Sequence, residues 1–319
     1  MTTRWPSLPA DDWADTLEIL HLYTQVVGKI RMGYGPWLNH AWGVTLYVTP
    51  RGLTTGIVPY RDDAFEVRFD LIDSQLLIET ASGAQKMLAL RQSTVADFYA
   101  AVMGSFERLG LPVSIDPLPS EIAGAIRFDE DTTHGPYDPA HAQLMLRAWI
   151  DSERVLSAFR AGYVGKSSPV HLYWGGFDLA VYRFSARTAP PHPGGAPNFP
   201  LDVARESYTH ELTSVGLWLG TREMPIPSFF AYTYPAPEGI GKAPVEPAAA
   251  AWNEAGGSFS LPYEAVRTAA DPDAALRAFC ESTHAAGADL AGWDREALEL
   301  APSMGADWWR SRSKRVSGR

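Results

Sequence analysis

Residues 170–187 read VHLYWGGFDLAVYRFSAR, and this stretch predicts two β-strands joined at a glycine pair, 175–176. β-Branched and aromatic side chains favour strands, and glycine within such a run indicates a turn or a bulge. The stretch also places His171, Asp178 and Arg183 among aromatic residues. A bulge at the glycines would bring His171 and Asp178 to one face of the sheet. We therefore expect this stretch to lie at the centre of both the fold and a functional site.

The chain on either side of this stretch predicts an α+β fold built from two similar units that pack together. Residues 1–112 and 138–294 each read as a helix, a run of strands and a second helix. The short turns between successive strands indicate antiparallel sheets. A proline-containing acidic segment, 113–137, is predicted to link the units, and 295–319 is predicted to be a tail whose basic end is disordered.

An internal duplication is indicated by matching residues in the two units. Aligning the ends of the first helices pairs several unusual residues, with short insertions in the loop: Arg31 with Arg160, Gly33 with Gly162, Tyr34 with Tyr163, His40 with His171, and Trp42-Gly43 with Trp174-Gly175. Two such units would enclose a cleft, which is a common place for a ligand. The two histidines either serve as scaffold for the loop between helix and strand or face the cleft from opposite sides.

Composition excludes several classes of protein. The chain has 319 residues, a formal charge of −10 and 46% hydrophobic residues. The negative charge argues against nucleic acid as a partner, and no stretch is long and apolar enough to predict a membrane span. One cysteine and the lack of a secretory signal pattern predict a cytoplasmic protein. We expect the partner of this protein to be a small-molecule ligand.

The candidate catalytic residues are polar side chains that the second unit has and the first lacks, namely Asp178, Arg183, His192 and His210. Histidine and aspartate together can perform general acid–base catalysis. The prolines around His192, in PPHPGG, would hold it rigidly at a site, although the same loop could be only a surface turn. Arg183 would point away from Asp178, either to bind an anion or to form a buried ion pair. We expect His192 and His210 to converge on one pocket near Asp178.

Aromatic residues and a metal complete the set of candidates. Substrate binding is assigned to Trp174, Tyr173, Trp218 and Tyr232. A divalent metal is a weaker alternative, because its ligands would come from separate elements without a recognised spacing: His171, His192, His210 and Glu211. No nucleotide-binding motif is present.

The runs HLYWGGFDLAVYRFSAR, PPHPGG, YTHELTSVGLW and FFAYTYPAPEG resemble a bacterial family described as a domain of unknown function (DUF5996-like). FEVRFDLIDSQLLIET in the first half resembles the same family, so the resemblance covers nearly the whole chain. It implies no activity, cofactor or catalytic residue.

Two functions are therefore considered. The first is an enzyme that acts on a small molecule through a histidine and aspartate acid–base site in an aromatic cleft. The second is a non-catalytic protein that binds a small ligand or a peptide in that cleft. Convergence of several titratable groups on one pocket would favour the enzyme, whereas an aromatic pocket with satisfied polar groups would favour the binding protein. The sequence predicts neither the substrate nor the oligomeric state.

Overall fold

The computed structural model describes residues 4–8, 12–91 and 93–300. Within these ranges the chain forms an α+β fold with two six-stranded sheets, and every strand pair is antiparallel. The predicted fold class is confirmed. No helix in the described part of the chain is long and apolar enough to cross a membrane.

The first half of the chain contains two helices around the first sheet. Its elements are α1 (Ala14–Tyr34), a 3-10 turn (Asn39–Ala41), β1 (Tyr47–Thr49), β2 (Gly52–Thr54), β3 (Val58–Tyr60), β4 (Asp63–Asp70), β5 (Gln75–Thr80), β6 (Gln85–Ala89) and α2 (Val95–Arg108). A capping box formed by Thr94 and Asp97 fixes the start of α2, because each side chain accepts a backbone N–H bond from the other residue.

The second half, as far as residue 300, contains five helices and the second sheet. Its elements are α3 (Pro139–Ala161), β7 (His171–Tyr173), β8 (Asp178–Thr188), α4 (Leu201–Ser207), β9 (His210–Trp218), β10 (Ser228–Tyr234), a 3-10 turn (Ile240–Lys242), β11 (Ala251–Asn253), β12 (Ser258–Pro262), α5 (Tyr263–Arg267), α6 (Pro272–Leu290) and α7 (Arg295–Leu298). Asp138 and Asp271 cap α3 and α6, and a proline follows each of them in the first turn.

The two sheets meet edge to edge at Leu46 and Leu172. The first sheet has the order β1-β2-β4-β5-β6, with β3 also paired to β4, and the second has the order β11-β12-β10-β9-β8-β7. Leu46 and Leu172 exchange backbone hydrogen bonds of 2.9 and 2.8 Å. One cluster of buried apolar side chains includes residues of both sheets and of α1, α2, α3 and α6. The core is therefore continuous across the two halves.

The second sheet has two different faces. Register places Tyr182 opposite Ser214, and Ser214 opposite Tyr232, so these side chains share one face. Arg183, next in the chain, lies on the other face and contacts Phe159 of α3. Helices α3 and α6 cover that second face. The face with the tyrosines is left for the candidate site.

The secondary-structure elements of the two halves agree only partly with the predicted duplication. The order of helix, strands and helix occurs twice. Arg31 and Arg160 both lie in the last turn of a long helix and donate to a loop carbonyl, at Gly43 and Ser168. His40, however, lies in a 3-10 turn, whereas His171 lies in a strand. The duplication therefore stays a prediction.

The predicted linker and tail take part in the folded structure. Phe128, in segment 113–137, is fully buried in the common core. Residues 295–300, placed in the tail from the sequence, form α7 and a β-bridge between Tyr163 and Glu299. The rest of the predicted tail, residues 301–319, includes the basic end 311–319 and lies outside the described residues.

Candidate functional site

A cavity of about 340 Å³ lies on the tyrosine-bearing face of the second sheet. Its wall comes from the end of α1, the loop after it, the β7–β8 hairpin, segments 120–121 and 192–199, α4 and β10. The side chains that shape its chemistry are Glu121, Asp178, His192, four tyrosines (Tyr173, Tyr182, Tyr208 and Tyr232) and two tryptophans (Trp37 and Trp174).

The β7–β8 hairpin forms the floor of the cavity. Residues 174–177 form its turn, and Phe177 has a positive φ of 57°. Tyr173 pairs with Asp178 and His171 with Ala180, so all four side chains lie on one face. His171 and Asp178 share a face as expected. The expected bulge is wrong, because a hairpin turn aligns them.

Helix α1 fixes this turn from outside. The indole of Trp174 lies against Gly28, where a Cβ atom would overlap the ring, and its Nε1 donates to Val44 O at 2.8 Å. His21 bonds through Nε2 to the carbonyl of Gly175 at 2.8 Å and stacks on Phe177. Burial lowers the pKa of His21 to about 4, so its ring is neutral and Nε2 carries the proton for this bond.

Glu121 enters the cavity from the segment predicted as a linker. Gln25 of α1 holds its neighbour Ser120 at two points: Ser120 N donates to Gln25 Oε1 at 2.8 Å, and Gln25 Nε2 donates to Ser120 O at 2.9 Å. Glu121 N donates to Pro197 O at 2.8 Å. The φ of Glu121, 62°, is unusual for a residue with a side chain. The hydrogen bonds at Ser120 and at the N–H of Glu121 hold the backbone in this conformation.

Glu121 and Asp178 form a pair of carboxyl groups above the glycines of the hairpin. A Cβ atom on Gly175 would overlap Glu121 Oε1, and one on Gly176 would lie 2.7 Å from Asp178 Oδ1 and 3.8 Å from Glu121 Oε2. Asp178 Oδ1 and Glu121 Oε2 therefore both lie within 3.8 Å of one point above Gly176, which places the two carboxyl groups beside each other. The absence of side chains at both glycines makes room for the pair.

Burial favours the protonated form of both carboxyl groups. Burial, together with the charge of Glu121, raises the pKa of Asp178 to about 7. Burial also raises the pKa of Glu121. Desolvation penalises the ionised form of a carboxyl group, and a second carboxylate nearby penalises it further. The pair titrates as one unit, with a proton held near neutral pH.

The tyrosines form a connected polar lining above the sheet. The hydroxyl groups of Tyr208 and Tyr232 lie 2.9 Å apart, and Tyr173 OH donates to His40 O at 2.6 Å. Burial raises the pKa of these three phenols and of Tyr182 well above 10. The hydroxyl groups are therefore neutral, and their rings present aromatic faces and edges to a ligand.

His192 lies in the cavity wall, where its ring stacks on Tyr208 with a centroid distance of 4.4 Å. Gly194 N donates to His192 Nδ1 at 3.0 Å. Burial lowers the pKa of His192, so the ring is neutral and Nε2 carries the proton. The prolines of this loop and the Gly194 bond orient the imidazole as a hydrogen-bond donor.

Two predicted site residues of β9, His210 and Trp218, lie away from the cavity wall. His210 contacts His40 edge-on and lies 3.0 Å from Thr209 Oγ1, so it does not converge with His192 as expected. Its place at the start of β9 explains this, because His210 pairs with Thr188 at the far end of β8, beyond a register shift. Trp218, at the other end of β9, does not line the cavity either.

Arg183 is buried under the helices on the opposite face. Its guanidinium lies 3.4 Å from the centre of the Phe159 ring, donates to Phe159 O and lies 3.6 Å from a Glu281 carboxylate oxygen. Of the two interpretations drawn from the sequence, a buried ion pair agrees with this position.

The predicted metal ligands are dispersed. Glu211 binds Arg187 at 2.6 Å and accepts a bond from Trp293 Nε1 at 3.0 Å, outside the cavity, whereas His192 lies inside it. Among the described residues, no group of three or more His, Cys, Asp or Glu side chains is arranged to hold a metal ion. The proposed set does not come together because its members lie on different strands and faces.

His40 and His171 have the contacts of scaffold residues. Both are fully buried, and each bonds through Nδ1 to a carbonyl, of Ser207 at 3.0 Å and of Pro169 at 2.7 Å. Lys166 donates to the second nitrogen of His40 at 2.8 Å. Neither histidine lines the cavity.

One sequence family covers the whole segment that builds the fold and the site, from α1 to the β-bridge at Glu299. Residues 5–300 match a family of unknown function (DUF5996). The chain belongs to this family. No curated protein and no solved structure gave a match. The site of this DUF5996 protein must therefore be interpreted from its own residues.

The sequence missed Glu121, Tyr182 and Tyr208 as members of the DUF5996 site. Tyr182 could have been found, because alternation in β8 places it on the same face as Asp178. For Glu121 the sequence offers no signal: it lies in an irregular segment whose position depends on Gln25, far away in the chain.

Proposed function

We propose that this protein is an enzyme that acts on a small molecule by general acid–base catalysis at the Glu121–Asp178 pair. The observation that carries the proposal is the placement of two desolvated carboxyl groups beside each other in the wall of a cavity. Titratable groups with strongly perturbed pKa values are typical of catalytic sites, although structural networks also perturb them. Here neither carboxyl group serves an ion pair of the fold among the described residues, which favours a catalytic role.

The carboxyl pair supplies an acid and a base at the same pH. One member holds a proton and can donate it, while the ionised member can accept a proton from the substrate. A reaction that takes one proton and returns one leaves the charge of the pair unchanged. His192 donates from Nε2, and because Tyr208 and Tyr232 share one hydrogen bond, one of these two hydroxyl groups keeps a proton to donate to the substrate.

Cavity size and lining set the kind of substrate. A volume of about 340 Å³ suits a small organic molecule rather than a polymer. Trp174, Tyr173 and Tyr232, assigned to substrate binding from the sequence, lie in its wall with Tyr182 and Tyr208. The single cysteine, Cys280, is fully buried in the core, and a cytoplasmic location forms part of this proposal.

A non-catalytic binding protein is the second candidate. It is favoured by the aromatic lining, because large rigid side chains bind apolar groups without any chemistry. The two candidates differ in what happens to a bound molecule.

Turnover of bound ligands separates these candidates. A library of small organic molecules is screened by thermal stabilisation, and each stabilising compound is incubated with the protein and analysed by mass spectrometry. The enzyme proposal predicts that at least one compound is converted, and that Asp178→Asn and Glu121→Gln each slow the conversion by about 100-fold or more. Asp62→Asn, which changes an exposed carboxylate on a distant turn, should convert it normally. Compounds that bind and are all recovered unchanged would contradict catalysis and support the binding protein.

A further inference from the structure

We propose that the ligand of this cavity is a small organic cation, a protonated or quaternary amine whose charged group lies between the Glu121–Asp178 pair and the tyrosines. The inference rests on the proposed function for the location of the ligand site. It does not depend on whether the ligand is converted, so a failure of catalysis leaves it open to its own test.

The ionisable side chains of the cavity wall favour a cation by their charge. Glu121 and Asp178 are its acidic residues, and no lysine or arginine of the described chain lines it. His192, the nearest candidate for a positive charge, is a neutral ring. The carboxyl pair therefore has no positively charged partner in the wall, and a cation in the cavity would supply one.

The same wall is also rich in aromatic rings. Tyr173, Tyr182, Tyr208 and Tyr232 surround the region beside Asp178, and Trp37 lies at the mouth with 55% of its surface exposed. Aromatic faces attract ammonium groups, and clusters of them recognise quaternary ammonium ligands. Carboxylates and aromatic rings in one wall favour a cation through both kinds of interaction.

The same wall disfavours anionic and neutral ligands. An anion such as a phosphate or carboxylate would approach Glu121 and Asp178 with no arginine or lysine to bind it. A neutral molecule could occupy the apolar part of the cavity, but it would leave the carboxyl pair without compensation. The proposed ligand thus carries an ammonium group on a compact organic skeleton.

Three probes of matched shape test this inference. They are choline, its uncharged carbon analogue 3,3-dimethyl-1-butanol, and the anion 2-hydroxyethanesulfonate. Affinities are measured by calorimetry at pH 8, above the Asp178 pKa of about 7, and by the fluorescence of the tryptophans in the wall. We expect choline to bind about tenfold or more tightly than the alcohol, because it gains both cation–π and ionic interactions.

Charge removal and pH provide the controls. The double variant Glu121→Gln/Asp178→Asn should lose the ionic part of the choline preference and keep only the smaller part that the aromatic rings supply, whereas Asp62→Asn should keep the full wild-type preference. Choline affinity should also fall below pH 7, where Asp178 becomes protonated. Equal or tighter binding of the alcohol, binding of the sulfonate, or no choline binding at millimolar concentration would overturn the inference. None of these results depends on turnover, which the mass-spectrometric assay tests separately.

Discussion

The carboxyl group of Glu121 lies directly over the α-carbon of Gly175, so that a Cβ atom at position 175 would overlap Oε1. Residue 121 belongs to an irregular segment and residue 175 to the tip of a β-hairpin. The site therefore depends on glycine at the hairpin and on a strained backbone at Glu121, whose φ is 62°.

Gly175→Ala should destabilise the protein by displacing Glu121. We expect the free energy of unfolding to fall by about 1–3 kcal/mol, as for overpacking at other tightly packed positions. In a Glu121→Gly background the same change should cost much less, because the obstructing side chain is gone and glycine accepts the positive φ. Chemical denaturation of the four proteins measures this.

Gly33→Ala is the control for this cycle, because no atom lies within 4 Å of a Cβ added there. It should leave stability unchanged or raise it by up to about 1 kcal/mol, since alanine favours the helix. Equal costs of Gly175→Ala with and without the Glu121 side chain would show that the contact does not matter.

Asp178→Asn should change how stability depends on pH. The pKa of Asp178 is raised from 3.8 to about 7, so the folded state binds more protons than the unfolded state between these values. This contribution to stability is fully present at low pH and is lost as pH rises towards 7, amounting to about 4 kcal/mol at most.

The free energy of unfolding is measured for the wild type, Asp178→Asn and Asp62→Asn at pH 5 and pH 8. The Asp178→Asn variant lacks the titration, so its stability relative to wild type should rise between the two pH values. Asp62→Asn should follow the wild type. A constant difference between Asp178→Asn and wild type would mean that the Asp178 pKa is not raised.

His192→Ala and His210→Ala should differ in their effects on the cavity. His192 stacks on Tyr208 in the wall, and removing such an aromatic contact should weaken choline binding by about two- to tenfold. His210 lies outside the wall, so its removal should leave the affinity unchanged. Calorimetry on both variants is the measurement, and a larger loss in His210→Ala would contradict the assignment of His192 to the site.

Arg183→Met should affect stability rather than ligand binding. Arg183 is almost fully buried against Phe159, whereas its partner Glu281 is about half exposed, so removing the guanidinium and its hydrogen bonds should cost about 1–3 kcal/mol. The exposed Arg277 on α6 is the matched control, with an expected change within about 0.5 kcal/mol. Loss of choline affinity in Arg183→Met, at a temperature where the variant is folded, would argue for a direct role in the site.

The fold was predictable from sequence where the periodicity was regular. The α2, α3 and α6 helices and strands β4, β5 and β10 lie where hydrophobic spacing and caps place them. The sequence from Leu53 to Tyr60 indicates one continuous strand, but the structure divides it into β2 and β3, because Gly56 has a positive φ of 61° and Thr54 Oγ1 accepts a hydrogen bond from its N–H. Helix α4 was missed, since seven residues are too few for a periodic signal.

The site was predictable only where it lies within one hairpin. Asp178, Tyr173 and Trp174 follow from the register of a single strand pair, and His192 from its unusual loop. Glu121 did not follow, because its position depends on the contact between Gln25 and Ser120, 95 residues apart in the chain. His210 was misplaced because a register shift between Phe184 and Thr188 changes the course of β8 before it pairs with His210. Local sequence patterns do not determine contacts between segments that are far apart in the chain.

The central claim is that Glu121 and Asp178 share a proton in the cavity, and carbon-13 NMR of labelled aspartate tests it most directly. The Asp178 carboxyl signal, assigned by its absence in Asp178→Asn, is followed from pH 4 to pH 9. The account predicts a midpoint at about 7 in the wild type and a lower midpoint in Glu121→Gln, where the neighbouring negative charge is removed. A midpoint near 4 that is unchanged in Glu121→Gln would contradict the account.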